Sequence, residues 1–187
     1  MSNQLRIIGG KWRSRQISFD DAPGLRPTPS RVRETLFNWL QGDIHDSRCL
    51  DLFAGSGALG FEAASRGAGL VVQVESNPIV HKKLQENASK LMAENIQVKL
   101  DKVDNYLLSE PIQFDLVFMD PPFGKNYLVD VCCKLESGGW LTDHAKIYLE
   151  SEVGVDLASI PQSWEMLKSK KAGEVSYFLY RRNFRFC

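Results

Sequence analysis

The chain has 187 residues, 43% of them hydrophobic, which fits one globular domain over residues 1–187 with a sizeable core. No apolar run approaches the roughly 18 residues of a membrane helix, and the start lacks the apolar core of a secretory signal, so we expect a soluble cytoplasmic protein. The net charge is zero, but the charges are unevenly distributed: residues 1–33 carry seven Lys/Arg against two Asp/Glu, residues 34–167 carry ten against twenty, and residues 168–187 carry six against one. The two basic ends would therefore form a phosphate-attracting face if they meet in space.

The N-terminal segment is predicted to form a small basic β-hairpin. Residues 5–19 contain two short apolar runs around Gly9-Gly10, with arginines between the apolar side chains. We therefore assign residues 1–20 to a hairpin extension. After a loop that contains Pro and Gly, Thr28-Pro29 predicts the start of a leading helix over residues 28–41, with Thr28 supplying the cap oxygen.

From Cys49 onward, short apolar runs alternate with helical segments, the pattern of a parallel sheet covered on both faces. Asn77-Pro78 predicts a helix that reaches about Leu91. Strands are predicted near residues 49–53, 70–75, 96–100, 114–119, 145–150, 164–168 and 174–181. The joint between the last two is so short that they must pair antiparallel. Because such a final hairpin distinguishes methyltransferases from dehydrogenases, residues 48–187 predict an α/β, Rossmann-like class I methyltransferase core with a mostly parallel seven-stranded sheet.

A glycine-rich turn follows the first core strand. Its G-x-G-x-x-G spacing places a helix start against a ligand, and Glu75 ends the next strand, where a carboxylate can accept ribose hydroxyls. NAD would suit these two features equally well. Asp51, however, would repel a pyrophosphate and attract the ammonium and sulfonium groups of S-adenosylmethionine. With adenine placed over the third strand end, the predicted cofactor contacts are Asp51, Phe53, Ala54, Gly55, Ser56, Gly57, Glu75, Ser76, Lys102 and Val103.

The segment 114–123 carries the predicted chemistry, because a buried apolar strand ends in a carboxylate, two prolines and an aromatic ring. The prolines stop the strand and hold the carbonyls of Asp120 and Pro121 as rigid acceptors at the edge where ligands bind. An exocyclic amine of a base is a poor nucleophile, and acceptors that grip its N–H bonds favour a more tetrahedral nitrogen. A nearby ring can stack on a base that has left its helix. The predicted catalytic residues are Asp120, Pro121, Pro122 and Phe123.

Two sets of motifs resemble known families. Asp-Leu-Phe-Ala-Gly-Ser-Gly at 51–57 with Asp-Pro-Pro-Phe at 120–123 is similar to the amino-methyltransferases, which use an (Asp/Asn)-Pro-Pro-aromatic signature on adenine N6 or guanine N2. Arg6-Ile-Ile-Gly-Gly, Arg26-Pro-Thr and the segment 31–40 resemble the RsmD family, bacterial enzymes that methylate guanine N2 in 16S ribosomal RNA. This second resemblance covers essentially the whole chain.

The RsmD resemblance implies S-adenosyl-L-methionine as cofactor and 16S rRNA or a small ribosomal subunit particle as partner. The expected RNA contacts are Arg6, Lys11, Arg13, Arg15, Arg26, Thr28, Arg31 and Arg33. We expect a monomer, and no metal because the histidines are scattered singly. Three alternatives stay open: an adenine-N6 DNA methyltransferase, an NAD-dependent oxidoreductase, and an RNA-binding module that has lost activity.

Overall fold

A computed structural model describes residues 2–20, 27–121, 127–155 and 157–183. The predicted N-terminal hairpin is present, with strand β1 (Ser2–Arg6) antiparallel to β2 (Gln16–Asp20). The strands are shifted outward from the prediction, because Arg6 pairs with Gln16 and a long connection replaces the expected turn at Gly9-Gly10. That connection is not a free loop, since Ile7 and Trp12 are buried in the core.

The leading helix α1 (Ser30–Trp39) forms where it was predicted, but its predicted cap is wrong. Pro29 occupies the cap position, and no side chain caps the first turn. The Thr28 side chain is buried and hydrogen-bonds instead to Glu150, across the space where the core strands end. Thr28 therefore belongs to the wall of a cleft rather than to the helix start.

Seven strands of the described residues form one sheet, in the order β5-β4-β3-β6-β7-β9-β8. The first five positions in this order are parallel, and β9 is antiparallel to both of its neighbours. The predicted α/β class I methyltransferase fold with its C-terminal hairpin is thus confirmed. The strands are β3 (Arg48–Asp51), β4 (Leu70–Glu75), β5 (Ile96–Leu100), β6 (Phe114–Met119), β7 (Leu141–Glu152), β8 (Trp164–Ala172) and β9 (Val175–Arg182).

Helices cover both faces of this sheet, because side chains along each strand alternate between two apolar clusters. The hairpin, α1, α2 (Ala58–Ser65) and α3 (Pro78–Leu91) pack on the first face. The short α4 (Val103–Tyr106) and α5 (Tyr127–Ser137) pack on the second. Asn77 caps α3 as predicted, its side chain accepting from Ile79 N at 2.9 Å. No helix within the described ranges has the length and apolar character to span a membrane.

A buried ion pair joins α1 to the glycine-turn helix α2, and both of its side chains also bind the hairpin backbone. Glu62, fully buried in α2, accepts the backbone N–H groups of Ile8 at 2.9 Å and Gly9 at 2.8 Å. Arg33 of α1 lies 3.4 Å from the same carboxylate and also donates to the carbonyl of Arg6. The Arg33 side chain is only 1% exposed, so the predicted RNA contact by Arg33 is wrong: a guanidinium enclosed by these partners stabilises the fold and cannot reach a phosphate.

Candidate active site

The carboxyl ends of the parallel strands open into a cavity with a volume of about 1140 Å³. Ligands of open α/β sheets bind at this edge. The volume is somewhat above the roughly 300–1000 Å³ typical of small-molecule sites, so it has room for a cofactor and a base together. The predicted site residues that line it are Asp51, Phe53, Ala54, Gly55, Ser56, Glu75, Ser76, Lys102, Val103, Asp120, Pro121 and Thr28.

The glycine turn and the end of β4 are held together by the Glu75 carboxylate. One oxygen accepts the Gly55 N–H at 3.0 Å and the other accepts the Asn77 N–H at 2.7 Å. Each oxygen keeps a further lone pair, so the half-buried carboxylate is fixed in place and still able to accept ligand hydroxyls. Gly57 does not line the cavity. Its φ of +79° turns the chain into α2, and a Cβ there would lie 2.6 Å from the Phe61 ring, so Gly57 shapes the turn instead of touching a ligand.

Asp51 is a buried carboxyl at the end of β3, 3% exposed. It accepts the Gly60 N–H at 3.1 Å and hydrogen-bonds to the Gln73 side chain. Burial raises the pKa of Asp51 to about 7, with these hydrogen bonds acting in the opposite direction. A buried carboxylate near its titration point would be stabilised by a neighbouring cation, as the sequence predicted for this position.

Asp120 and Glu150 form a pair of acidic side chains beside Asp51. Strands β6 and β7 are parallel neighbours with Met119 opposite Leu149, so the next residues, Asp120 and Glu150, lie side by side at the cavity. Burial raises the pKa of both carboxyls, and for Glu150 the charge of Asp120 raises it further. Two adjacent carboxyls cannot both ionise without cost, so the pair retains a proton more readily than isolated groups do. Pro122 and Phe123 lie outside the described residues.

The cavity wall is strongly acidic. Its described residues include one lysine, Lys102, against seven carboxyl groups: Asp51, Glu75, Asp101, Asp104, Asp120, Glu150 and Glu174. A wall of this charge attracts a sulfonium and an ammonium and repels phosphate groups. Together with the antiparallel β9, which a dehydrogenase sheet does not have, this charge argues against the dinucleotide alternative.

The predicted RNA contacts separate into two places. Thr28 lies in the cavity wall and Arg31 is exposed on the adjoining first turn of α1. Arg6, Lys11, Arg13 and Arg15 are exposed on the hairpin, and Arg26 lies outside the described residues.

The tip of the hairpin lies away from the cavity. Lys11 N donates at 2.8 Å to the carbonyl of Ser65, the last residue of α2. The first residue of that helix is at the cavity, and eight residues of α-helix span about 12 Å. The hairpin tip therefore sits at the opposite end of α2 from the cleft.

The two basic ends of the chain do not form one continuous face. The hairpin packs on α2 and α3, whereas β8, with its exposed Lys168, Lys170 and Lys171, is the far edge strand of the sheet. Helix α1 lies between them: Arg33 hydrogen-bonds to the hairpin, and the tilted ring of Trp39 lies 5.4 Å from that of Tyr177 in β9. The acidic cleft is thus flanked by separate basic elements.

Sequence reasoning missed two buried acids. Glu150 was read only as the end of a strand, although a carboxyl that follows the buried run 147–149 is the same signal that identified Asp120. Glu62 interrupts the apolar run of α2, and a charge there indicates a buried partner, but the sequence did not identify Arg33 as that partner.

The sheet order, the glycine turn and the acidic cleft ending in Asp120-Pro121 define a class I methyltransferase. The family model described as "Conserved hypothetical protein 95" matches residues 5–181. The chain belongs to this family, which is the RsmD family that its motifs resemble.

Curated relatives and solved structures agree with this assignment. "Ribosomal RNA small subunit methyltransferase D" of Escherichia coli K12 is 47% identical over 97% of this chain and 91% of the relative. The protein of the same name from Haemophilus influenzae is 43% identical over 95% and 94%. The solved structure of "Putative methyltransferase yhhF from Escherichia coli" matches with a TM-score of 0.91 and 44% identity, covering 97% of this chain and 99% of that one.

Proposed function

We propose that this methyltransferase transfers a methyl group from S-adenosylmethionine to the N2 amine of a guanine in 16S rRNA of the small ribosomal subunit, in the cytoplasm. The observation that carries the proposal is the wall of seven carboxyls around the cleft, with the Asp120-Pro121 corner beside the glycine turn. The curated relatives, named as small-subunit rRNA methyltransferases, support the choice of rRNA.

The residues fit this donor. Glu75 is held by two backbone N–H groups and could accept ribose hydroxyls, Lys102 and Val103 would hold the adenine, and Asp51 would attract the cationic end. When bound, S-adenosylmethionine supplies a methyl group on a positively charged sulfur. Asp120 and the Pro121 carbonyl accept hydrogen bonds from the amine, and the raised pKa of Asp120 suits it to hold the proton that the amine releases. Positioning contributes most of the remaining rate effect.

The acidic wall also explains how RNA would enter. Phosphates are repelled from the cleft, whereas a neutral base turned out of its helix is not. The phosphates then remain outside, where Arg31 and the hairpin arginines are exposed. The basic outer surface would therefore bind the RNA backbone, and the acidic cleft would admit the base.

The test is methyl transfer to small subunits from cells that lack this gene, with mass analysis of the product nucleosides. N2-methylguanosine is expected, and methylated adenine or no transfer to rRNA would overturn the proposal. Asp120→Ala should keep RNA binding and lose about 100-fold or more in rate, the usual effect of removing one transition-state contact. Asp143→Ala, an exposed aspartate outside the cleft wall, is the matched control.

The hairpin is tested separately. Lys11→Glu with Arg13→Glu should weaken RNA binding and flatten its dependence on salt, because fewer counterions are released. The rate at saturating RNA should stay unchanged, since the tip lies about one helix length from the cleft. A fall in that rate with unchanged binding would contradict the assignment.

A further inference from the structure

Glu150 is a cleft residue that the binding of S-adenosylmethionine and the grip on the amine by Asp120 and Pro121 leave without a role. It lines the same cavity as Asp120 and lies next to it at the ends of paired parallel strands. The Tyr148 side chain, two residues earlier in β7, projects from the same face of the sheet. The pair Asp120 and Glu150 thus presents two carboxyls side by side to whatever enters the cleft at this corner.

The environment of Glu150 does not explain it as a stabilising group. It is 6% exposed, and none of the salt bridges formed by the described residues includes it. Its partners are two neutral hydroxyls: Tyr148 donates to Oε1 at 2.8 Å, and Thr28 hydrogen-bonds from the opposite wall of the cleft. A buried carboxyl beside another carboxyl, without a cation, destabilises a fold. The two hydroxyls do, however, hold the carboxyl in one orientation.

The two candidate bases differ at the atom next to the reacting amine. In guanine, the ring nitrogen N1 beside the amine-bearing carbon carries a hydrogen. In adenine, the amine is on C6, and the neighbouring ring nitrogen on the Watson–Crick side, N1, presents a lone pair instead of a hydrogen. A second acceptor beside Asp120 therefore meets a donor in guanine and a lone pair in adenine, and enzymes that extrude a base read this edge by hydrogen bonds.

We propose that Glu150 is a specificity-determining residue, whose carboxyl accepts the N1–H of the target guanine while Asp120 accepts a hydrogen of the adjacent N2 amine. The inference rests on the proposed function, since it requires a guanine in the cleft. The contact with guanine needs only an acceptor lone pair, which a carboxyl keeps in either charge state, whereas rejection of adenine requires the ionised form, because a protonated carboxyl could donate to adenine N1. Leaving a carboxyl unpaired against adenine discriminates more strongly than a difference in shape.

The experiment places 2-aminopurine at the methylated position of 16S rRNA in a reconstituted small subunit, once the wild-type protein has mapped that position. This base keeps the C2 amine and lacks N1–H and O6. Single-turnover rates at subsaturating enzyme are measured for wild type, Glu150→Ala and Glu150→Gln. Glu152→Gln is the matched control, because Glu152 lies two residues further along β7 and outside the cavity wall.

With wild type, 2-aminopurine should lower the rate, and on guanine Glu150→Ala should lower it by about 10- to 100-fold, the usual effect of losing one hydrogen bond to a carboxylate. The two losses should not add: in Glu150→Ala, changing guanine to 2-aminopurine should cost at least tenfold less than in wild type. Glu150→Gln keeps the volume and an acceptor oxygen, so it should be faster than Glu150→Ala on guanine. Glu152→Gln should match wild type on both bases.

Equal 2-aminopurine penalties in wild type and Glu150→Ala would overturn the inference while leaving guanine methylation intact. Weakened S-adenosylmethionine binding by Glu150→Gln, measured by calorimetry, would also overturn it, because Glu150 would then serve the cofactor. Failure of the wild-type protein to form N2-methylguanosine would instead refute the proposed function itself. Thermal unfolding of each variant confirms that the rates come from folded protein.

Discussion

Replacing Asp51 with asparagine should stabilise the free protein and weaken its binding of S-adenosylmethionine. Burial raises the pKa of Asp51 from 3.8 to about 7, so the native state binds this proton more tightly than the unfolded chain does. The resulting stability is fully present below the unfolded pKa and is lost as pH rises through 7. A rise of about three pKa units corresponds to a loss of about 4 kcal/mol in the free energy of unfolding by pH 8.5. About 2 to 3 kcal/mol of this loss occurs between pH 5 and pH 8.5.

Asparagine avoids this loss without losing the local hydrogen bonds. Its carbonyl can accept from Gly60 N, and when the Gln73 amide turns over, exchanging its oxygen and nitrogen, the asparagine amide can donate to Gln73 Oε1, a buried oxygen with no partner among the described residues. Urea denaturation at pH 5 and pH 8.5 measures the effect: the advantage of Asp51→Asn over wild type should grow by about 2 kcal/mol between the two. Asp46→Asn, at an exposed aspartate, should show no such growth.

A constant difference between Asp51→Asn and wild type across this pH range would refute the reasoning, because it would mean that the buried carboxyl does not titrate there. Calorimetry measures the effect of the substitution on cofactor binding. The variant should bind S-adenosylmethionine more weakly at pH 8, since it no longer offers a negative charge to the cationic end of the ligand. Unchanged affinity would remove Asp51 from the cofactor site.

Two further substitutions test how the cofactor turn is supported. Glu62→Ala leaves the buried Arg33 guanidinium unpaired and should lower the free energy of unfolding, measured in urea, by about 3 to 5 kcal/mol. The control Glu86→Ala, at an exposed ion pair, should leave the midpoint of urea denaturation unchanged. Gly57→Ala places a Cβ 2.6 Å from the Phe61 ring at a φ of +79° and should weaken cofactor binding in calorimetry. Gly42→Ala, with a similar φ and open space around it, should lose some stability and keep its affinity, and equal affinities for both variants would contradict this role of Gly57.

Local signals predicted most of the fold. The boundaries of α3 follow from Asn77-Pro78 and its apolar spacing, and the pairing of β8 with β9 follows from a joint too short for a crossover. The hairpin register was not predictable, because the apolar residues of its long connection are buried by contacts with α2 that are remote in sequence. The cap at Thr28 failed for the same reason: its preferred partner, Glu150, lies more than a hundred residues away.

The candidate site shows the same limit. Asp51, Glu75 and Asp120 were predictable because each ends or directly follows a recognisable strand and precedes a turn, and all three lie in the cleft wall. Arg33 was assigned to RNA because a sequence shows an arginine on a helix but not the carboxylate opposite it. Glu150 was missed because its importance comes from standing beside Asp120, a fact of sheet register.

The separation of charge on this surface constrains the size of the substrate. A cleft with seven carboxyls repels the backbone of any RNA that approaches it, so attraction must come from cations elsewhere, and those of the hairpin tip lie beyond the far end of α2. Lysines on β8 stand at the other edge of the sheet. A short oligonucleotide that reaches the cleft can contact Arg31 but cannot also contact both of these elements, so it would meet the repulsion with less compensating attraction. A folded rRNA domain is large enough to reach cations on both elements, so we expect the protein to bind it more tightly than a short oligonucleotide.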